Sequence, residues 1–182
     1  AAGGTTDIIG RILAEALGRR LDQPVIVENR NGSGGVVGAN AVAKAQPDGY
    51  TLGIATVSTL ATAPAAMRQI PYDPIRDFVP VVDVASVSNV MTINAKIPAG
   101  NMAEFIALLK AHPGRYSFAS SGTGSIAHMD GEQFKSVAGV DMVHVPYRGT
   151  GPLLPDFLGG QVQSVIDNIP VYMPHVREGR LR

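Results

Sequence analysis

Short apolar segments alternate along this chain with segments whose apolar residues recur at helical spacing, and turns containing Gly or Pro separate them. This alternation is typical of βαβ units, in which a crossover helix joins two parallel strands. We therefore expect an α/β fold with mostly parallel sheets. The expected strands are 25–27, 50–55, 78–85, 90–94, 116–119, 142–146 and 162–166, and the expected helices are 8–17, 36–45, 60–67, 102–111, 128–137, 153–158 and 171–178.

The chain is expected to fold as two lobes. Two β segments adjoin within residues 86–100 and no helical segment lies between them, so we predict a first lobe at 1–90 and a second at 91–182. Ala1 lies inside a loop, and Arg182 ends what reads as a helix exit. We therefore expect a chain that is truncated at both ends.

Composition argues against several classes of function. Hydrophobic residues make up 45% of the 182 residues and charged residues 16%, so the chain can bury a sizeable core. A formal net charge of +0 without a basic run argues against nucleic acid as a partner. The absence of Cys excludes disulfides and thiolate metal sites. The four His residues lack metal-ligand spacing, no apolar run is long enough to cross a membrane, and no cofactor motif is present.

Two loops rich in Gly and hydroxyl residues, 1–7 and 120–125, each precede an expected helix. The first turn of a helix has unsatisfied N–H donors and the positive end of the helix dipole, so it binds anions. Small residues leave these donors uncovered. The loops therefore predict a cleft that holds an anion from both sides, whereas the alternative is a capped helix at each loop, with Thr6 or Asp7 as the first N-cap.

Other polar residues follow expected strands. Ser58 and Thr59 offer hydroxyls, Thr150 opens a helix, and Asp167 either contacts an ammonium or amide of a ligand or forms a turn or cap. Arg148 either pairs with a ligand carboxylate or stays solvated. An enzyme with Ser125 as nucleophile and His128 as base is a minor alternative, because no G-x-S-x-G elbow or orienting acid accompanies them.

An ordered set of motifs makes the interpretation more specific. The set covers almost the whole chain and consists of Ala2-Gly3-Gly4-Thr5-Thr6-Asp7, Val27-Glu28-Asn29-Arg30, Pro47-Asp48-Gly49-Tyr50-Thr51-Leu52, Asp77-Phe78-Val79-Pro80-Val81, Phe118-Ala119-Ser120-Ser121-Gly122-Thr123-Gly124-Ser125, His144-Val145-Pro146-Tyr147-Arg148-Gly149 and Gly159-Gly160-Gln161-Val162. It resembles the Bug family, the TctC-like extracytoplasmic receptors of tripartite tricarboxylate transporters. Asn31 and Ser33 depart from the family, which usually has Pro and Ala there.

The resemblance implies a type II periplasmic-binding-protein fold, in which a leading strand and a C-terminal return complete the first lobe. It implies an exported, periplasmic, non-enzymatic receptor that binds a dicarboxylate, aromatic acid or acidic amino acid and passes it to the membrane components of a tripartite transporter. A sensor partner of a membrane signalling receptor is an alternative output, and an assembly module without binding is another. The implied ligand-binding residues are Ala2, Gly3, Thr5, Thr6, Asp7, Ser58, Thr59, Ser121, Gly122, Thr123, Gly124, Ser125, Thr150 and Asp167.

Overall fold

The computed structural model describes all 182 residues and contains one four-stranded sheet, which lies in the C-terminal part of the chain (residues 89–182). The strands are β1 (Asn89–Ile93), β2 (Ser117–Ser120), β3 (Val143–Pro146) and β4 (Ser164–Asn168). The helices are α1 (Thr5–Leu21), α2 (Val36–Ala43), α3 (Ala63–Ala66), α4 (Met102–Ala111), α5 (Ile126–Ala138), α6 (Thr150–Gly159) and α7 (Ile169–Arg177).

The sheet has the order β1-β4-β2-β3, and its direction places several helix starts at one edge. As expected, β2 runs parallel to both β3 and β4, whereas β1 is antiparallel to β4 and pairs Asn89 with Asn168. The carboxyl ends of β2, β3 and β4 therefore lie together. The segments that lead into α5, α6 and α7 leave the sheet at this edge, where open α/β sheets bind ligands.

Two hydrophobic clusters cover the faces of the sheet. Successive side chains of a strand point to opposite faces, so Phe118 packs with Phe105 and Leu109 of α4, while Ala119 packs with residues of α6 and α7. The ring of Phe157 meets Tyr172 edge-on, with the ring centroids 6.0 Å apart. The sheet is therefore a central layer between helices and forms a rigid base for its carboxyl-end loops.

The N-terminal part of the chain (residues 1–88) contains helices and extended segments but no strand. The expected strands at 25–27, 50–55 and 78–85 are wrong for this chain, because a strand requires a hydrogen-bonded neighbour and these segments pair with none. Their apolar side chains lie in solvent, including Ile26 (87% exposed), Tyr50 (92%) and Val79 (89%). A cluster of three buried residues, Val36, Ala63 and Tyr72, is the only core in this part.

Local hydrogen bonds shift several helix boundaries from those expected. Ser125 caps α5 by accepting from His128 N–H at 3.3 Å, so the helix begins at Ile126 instead of residue 128. The helix expected at 60–67 divides into a π-helical segment, Ser58–Thr62, and α3. Helix α6 extends the expected 153–158 at both ends.

We predict that Gly131→Ala destabilises the fold. Gly131 lies in α5 against Phe118, and an added Cβ would overlap the Phe118 ring. Overpacking of this kind costs about 1–3 kcal/mol, which urea unfolding monitored by circular dichroism would measure. The control is Gly159→Ala in α6, where no atom lies within 4 Å of an added Cβ, so stability should stay the same or rise slightly. Equal stability of the two variants would contradict the packing argument.

Candidate functional site

The N-terminus of α1 is an uncapped helix start. Its N-cap residue is Gly4, which has no side chain to accept a hydrogen bond, so the first-turn N–H groups have no side-chain acceptor there. The hydroxyls of Thr5 and Thr6 make no hydrogen bond within the protein. The expectation that Thr6 or Asp7 is the N-cap is wrong, because both lie inside the helix. This end of α1 therefore offers free donors and the positive end of the helix dipole.

Asp7 holds the loop that precedes α1. Its carboxylate accepts from Gly3 N–H at 2.9 Å, from Asn29 Nδ2 at 2.7 Å and from Arg11 Nε at 3.1 Å. Hydrogen bonds from Asn29, Gly3 and Arg11 lower the pKa of Asp7 to about 2, although burial acts in the opposite direction. Since both carboxylate oxygens have protein partners, Asp7 orients the loop. Sequence reasoning missed Asn29, which lies 22 residues away.

The N-terminus of α6 is a second uncapped helix start. Its N-cap is Gly149, with φ 110° and again no side-chain cap. The hydroxyl of Thr150 donates to Asp167 Oδ2 at 3.2 Å, so the Thr150 oxygen can only accept from a further partner. Arg148, just before this start, is exposed and has no ion pair.

These two helix starts meet. A Cβ added to Gly151 would lie 2.8 Å from the Ala2 carbonyl oxygen, and one added to Gly4 would lie 3.6 Å from Thr150 Oγ1. A Cβ on Gly149 would overlap the Ala1 side chain. The structure therefore brings the predicted residues of loop 1–7 together with Thr150, across the boundary between the N-terminal and C-terminal parts.

Asp167 is a buried carboxylate behind α6. It accepts from Asn168 N–H at 2.8 Å and from the Tyr172 hydroxyl at 3.0 Å, in addition to Thr150. Burial raises the pKa of Asp167, with the nearby Asp130 carboxylate adding to the effect, while the three hydrogen bonds lower it. These contacts favour an indirect role, in which Asp167 orients Thr150.

The second glycine loop contacts a different segment of the N-terminal part. Ser58 Oγ accepts from Ile126 N–H at 3.0 Å, and Thr62 Oγ1 donates to the Gly124 carbonyl at 2.8 Å. A Cβ added to Gly122 would lie 2.6 Å from Gly34 N. Loop 120–125 thus packs against Gly34 and the Ser58–Thr62 segment. The Ile126 amide is already used by Ser58, which leaves fewer donors at α5 than at α1 or α6.

The remaining predicted residues divide by whether their hydroxyls are free. Thr59 Oγ1 accepts from Thr56 N–H at 3.0 Å and contacts Thr56 O at 3.1 Å, so it has a structural role. Ser121 and Thr123 make no side-chain hydrogen bond within the protein, and Thr123 is exposed. We therefore regard Ser121 and Thr123 as the hydroxyls of this loop that are available to a ligand.

The hydrolase alternative is wrong in this geometry. Ser125 is 1% exposed and its hydroxyl oxygen accepts from the His128 backbone N–H, so no substrate can reach it. The His128 ring is bonded elsewhere, because its Nδ1 accepts from Gly124 N–H at 3.3 Å. A nucleophile must be in hydrogen-bond reach of its base and accessible to the substrate, and neither condition holds here.

Metal-binding clusters and membrane-spanning helices are absent from the structure, and a separate concavity lies beside α1. No group of three or more His, Cys, Asp or Glu residues is arranged to hold a metal ion. No helix has both the length and the apolar character needed to span a membrane. A concavity of about 670 Å³ lies between α1 and the unpaired segment 22–27, and only three of its ten lining residues are hydrophobic.

Comparison with known proteins points to one family. Residues 9–182 match the model of the "Tripartite tricarboxylate transporter family receptor". The chain is 42% identical to Protein BugT of Bordetella pertussis over 181 residues, which cover 99% of this chain and 56% of BugT. The chain therefore spans little more than half the length of this relative.

Two similar solved structures contain dicarboxylates. One is an R. palustris protein with adipate, at 36% identity and a TM-score of 0.96, covering 100% of this chain and 61% of that protein. The other is MatC from Rhodopseudomonas palustris with bound malate, at 32% identity and a TM-score of 0.93, covering 100% of this chain and 62% of that protein.

We predict that Asp7 contributes pH-dependent stability. Because the pKa of Asp7 in the folded protein is about 2, below its ordinary value of 3.8, the contribution is complete above about pH 4 and disappears as the pH falls toward 2. The difference corresponds to about 2 kcal/mol. Urea unfolding between about pH 5 and about pH 2.5 should show a steeper loss for the wild type than for Asp7→Asn.

The control for this prediction is Glu15→Gln on the same helix, where Glu15 is exposed and pairs only with Arg19. We expect this variant to retain the steep acid dependence of the wild type. Parallel pH profiles for the wild type and Asp7→Asn would contradict the assignment of Asp7.

Proposed function

Because this chain belongs to the tripartite tricarboxylate transporter receptor family, a family of receptors and not of enzymes, we propose that it captures a small organic carboxylate and delivers it to the membrane components of such a transporter. The place of action is the periplasm, after export. In this proposal the parts near residues 1–90 and 91–182 act as two lobes that close around the ligand.

One observation supports the proposal most strongly: the uncapped N-termini of α1 and α6 meet across the two parts. Each supplies backbone N–H donors and a partial positive charge to the same place. The hydroxyls of Thr5 and Thr6 add donors that can rotate toward an oxygen. A carboxylate has oxygens enough to accept from both helix starts, so its binding favours the state in which they are close.

The two relatives with bound ligands favour a dicarboxylate as the class of ligand. Adipate and malate each carry a carboxylate at both ends, and they differ in length and in the hydroxyl of malate. In this chain we assign one carboxylate to the α1 and α6 starts. The second carboxylate, or the aromatic or amino group of another acid, lies toward Ser121 and Thr123, whose hydroxyls are free to bond it.

Calorimetry tests the proposal directly. Adipate, malate, benzoate and glutamate would each be titrated into the protein, and we expect a saturable heat signal with at least one dicarboxylate. The proposed function would be contradicted if adipate and malate both gave no saturable heat and none of the four acids shifted the melting temperature.

We predict that Gly151→Ala weakens this binding. Its added Cβ would lie 2.8 Å from the Ala2 carbonyl oxygen, a backbone atom, so the two helix starts must move apart. Loss of one well-placed hydrogen bond lowers affinity about tenfold, measured as the Kd by calorimetry. The matched control is Gly159→Ala at the other end of α6, where the added Cβ has open space and the Kd should stay unchanged. An unchanged Kd in Gly151→Ala would contradict the assignment of the ligand to these helix starts.

A further inference from the structure

Three aromatic rings stack in a row behind the glycine loop 120–125. Phe118 of β2 lies 4.9 Å from His144 of β3, centroid to centroid, with 23° between the ring planes. His144 lies 4.0 Å from His128 of α5, with 19° between the planes. Two imidazoles face to face at this distance form an unusual arrangement that the proposed ligand contacts do not explain.

Each histidine is bonded to the glycine loop. His128 Nδ1 accepts from Gly124 N–H at 3.3 Å. His144 Nε2 lies 2.7 Å from Ser120 Oγ, and the same oxygen accepts from Gly122 N–H at 3.2 Å. Gly122 and Gly124 have φ values of 143° and 81°, a backbone region that favours glycine. Because glycine can adopt many backbone conformations, these hydrogen bonds stabilise the observed one.

We propose that His128 and His144 are positioning residues, which hold Gly122 and Gly124 in the ligand-binding conformation and do so as neutral imidazoles. The proposal rests on the proposed function, since the loop is positioned for the carboxylate ligand. The histidines act through the glycine backbone and do not need to touch the ligand.

The neutral state follows from the geometry. A ring nitrogen accepts an N–H only when it carries no proton, so protonation of His128 Nδ1 would place two donors against each other at Gly124. Two charged rings 4.0 Å apart would also repel. Consistent with this, burial lowers the pKa of His144 to about 4, with His128 and Lys135 acting in the same direction and Glu132 in the opposite one.

Few charged groups face the stack. On α5, Glu132 and Lys135 pair with each other at 3.0 Å, and Lys135 Nζ lies 5.9 Å from the Phe118 ring centroid. Asp130, also on α5, accepts from Asn89 of β1 at 2.6 Å. From the N-terminal part, Thr62, Ala63 and Met67 lie against Gly124, and none of them carries a charge. If a stacked ring were protonated, its positive charge would therefore have no unpaired carboxylate beside it.

Gly124 also connects the loop to the N-terminal part. Its N–H is bonded to His128, and its carbonyl accepts from Thr62 Oγ1 at 2.8 Å. When His128 Nδ1 can no longer accept, the Gly124 N–H loses its hydrogen bond. We therefore expect protonation of His128 to loosen both the loop and its contact with Thr62.

Two variants of His128 separate the acceptor from the charge. In His128→Asn, the side-chain oxygen lies near the position of Nδ1 and accepts without titrating, whereas His128→Leu keeps a similar bulk and removes the acceptor. The Kd for adipate would be measured by calorimetry between about pH 5 and about pH 8, the range in which imidazoles titrate. A pair of variants at the second ring, His144→Gln and His144→Leu, tests the Ser120 contact in the same way.

We expect His128→Leu to bind adipate about tenfold more weakly than the wild type at pH 8, the loss expected for one hydrogen bond. The wild type should bind more weakly at about pH 5 than at about pH 8, while His128→Asn should bind as the wild type does at about pH 8 and change little with pH. Wild-type affinity in His128→Leu, or an unchanged pH profile in His128→Asn, would overturn the proposal.

Amide hydrogen exchange at Gly124 in the ligand-free protein gives a second readout. Protection should be lost in His128→Leu and retained in His128→Asn. If the wild type binds no acid, the proposed function fails while this readout still decides the role of the histidines. Equal protection of Gly124 in both variants would overturn that role independently of any ligand.

Discussion

The candidate site depends on one constraint: two helix N-termini without side-chain caps, those of α1 and α6, meet. Two positive helix ends repel each other, so bringing α1 and α6 together without caps is unfavourable unless negative charge compensates it. Asp7 provides part of that charge from within the protein, since its carboxylate, with a pKa lowered to about 2, accepts from Gly3 beside α1. The space between the helix starts remains a favourable place for a further anion.

The extent to which the sequence predicts this arrangement depends on how local each feature is. Glycine–hydroxyl loops before helices are local signals, and α1 and α5 do begin after such loops, but the N-cap residues are Gly4, without a side-chain cap, and Ser125, which caps through its hydroxyl. The partners of these loops are not local. Asn29 reaches Asp7 across 22 residues and Thr62 reaches Gly124 across 62, so the fold alone brings them together. For the same reason, the pairing of loop 1–7 with α6 instead of with loop 120–125 could not be read from spacing.

The strand predictions show the same limit on a larger scale. The apolar pattern of 50–55 and 78–85 indicates a tendency to be buried in a sheet, and the pattern of 116–119 indicates the same tendency. Only the last of these forms a strand, β2, because β3 and β4 lie on either side of it. In the N-terminal part the apolar residues Tyr50 and Val79 stay in solvent, at 92% and 89% exposure. The apolar pattern of a segment indicates its preference for a buried strand, whereas its hydrogen-bonded pairing depends on the other strands of the sheet.

Two side-chain hydrogen bonds connect the two parts near α5. Ser58 with Ile126 and Thr62 with Gly124 are the side-chain hydrogen bonds that join the N-terminal part to α5 and its loop. A hydrogen bond of this kind contributes about 1 kcal/mol net, so the pair contributes about 2 kcal/mol toward the arrangement in this structure. In the proposed function, a ligand held by both α1 and α6 adds its binding free energy to that arrangement alone and shifts the equilibrium toward it. In the proposed function, the two hydrogen bonds combined with a shared anion site make closure depend on the ligand, as is required of a receptor that must also release its ligand.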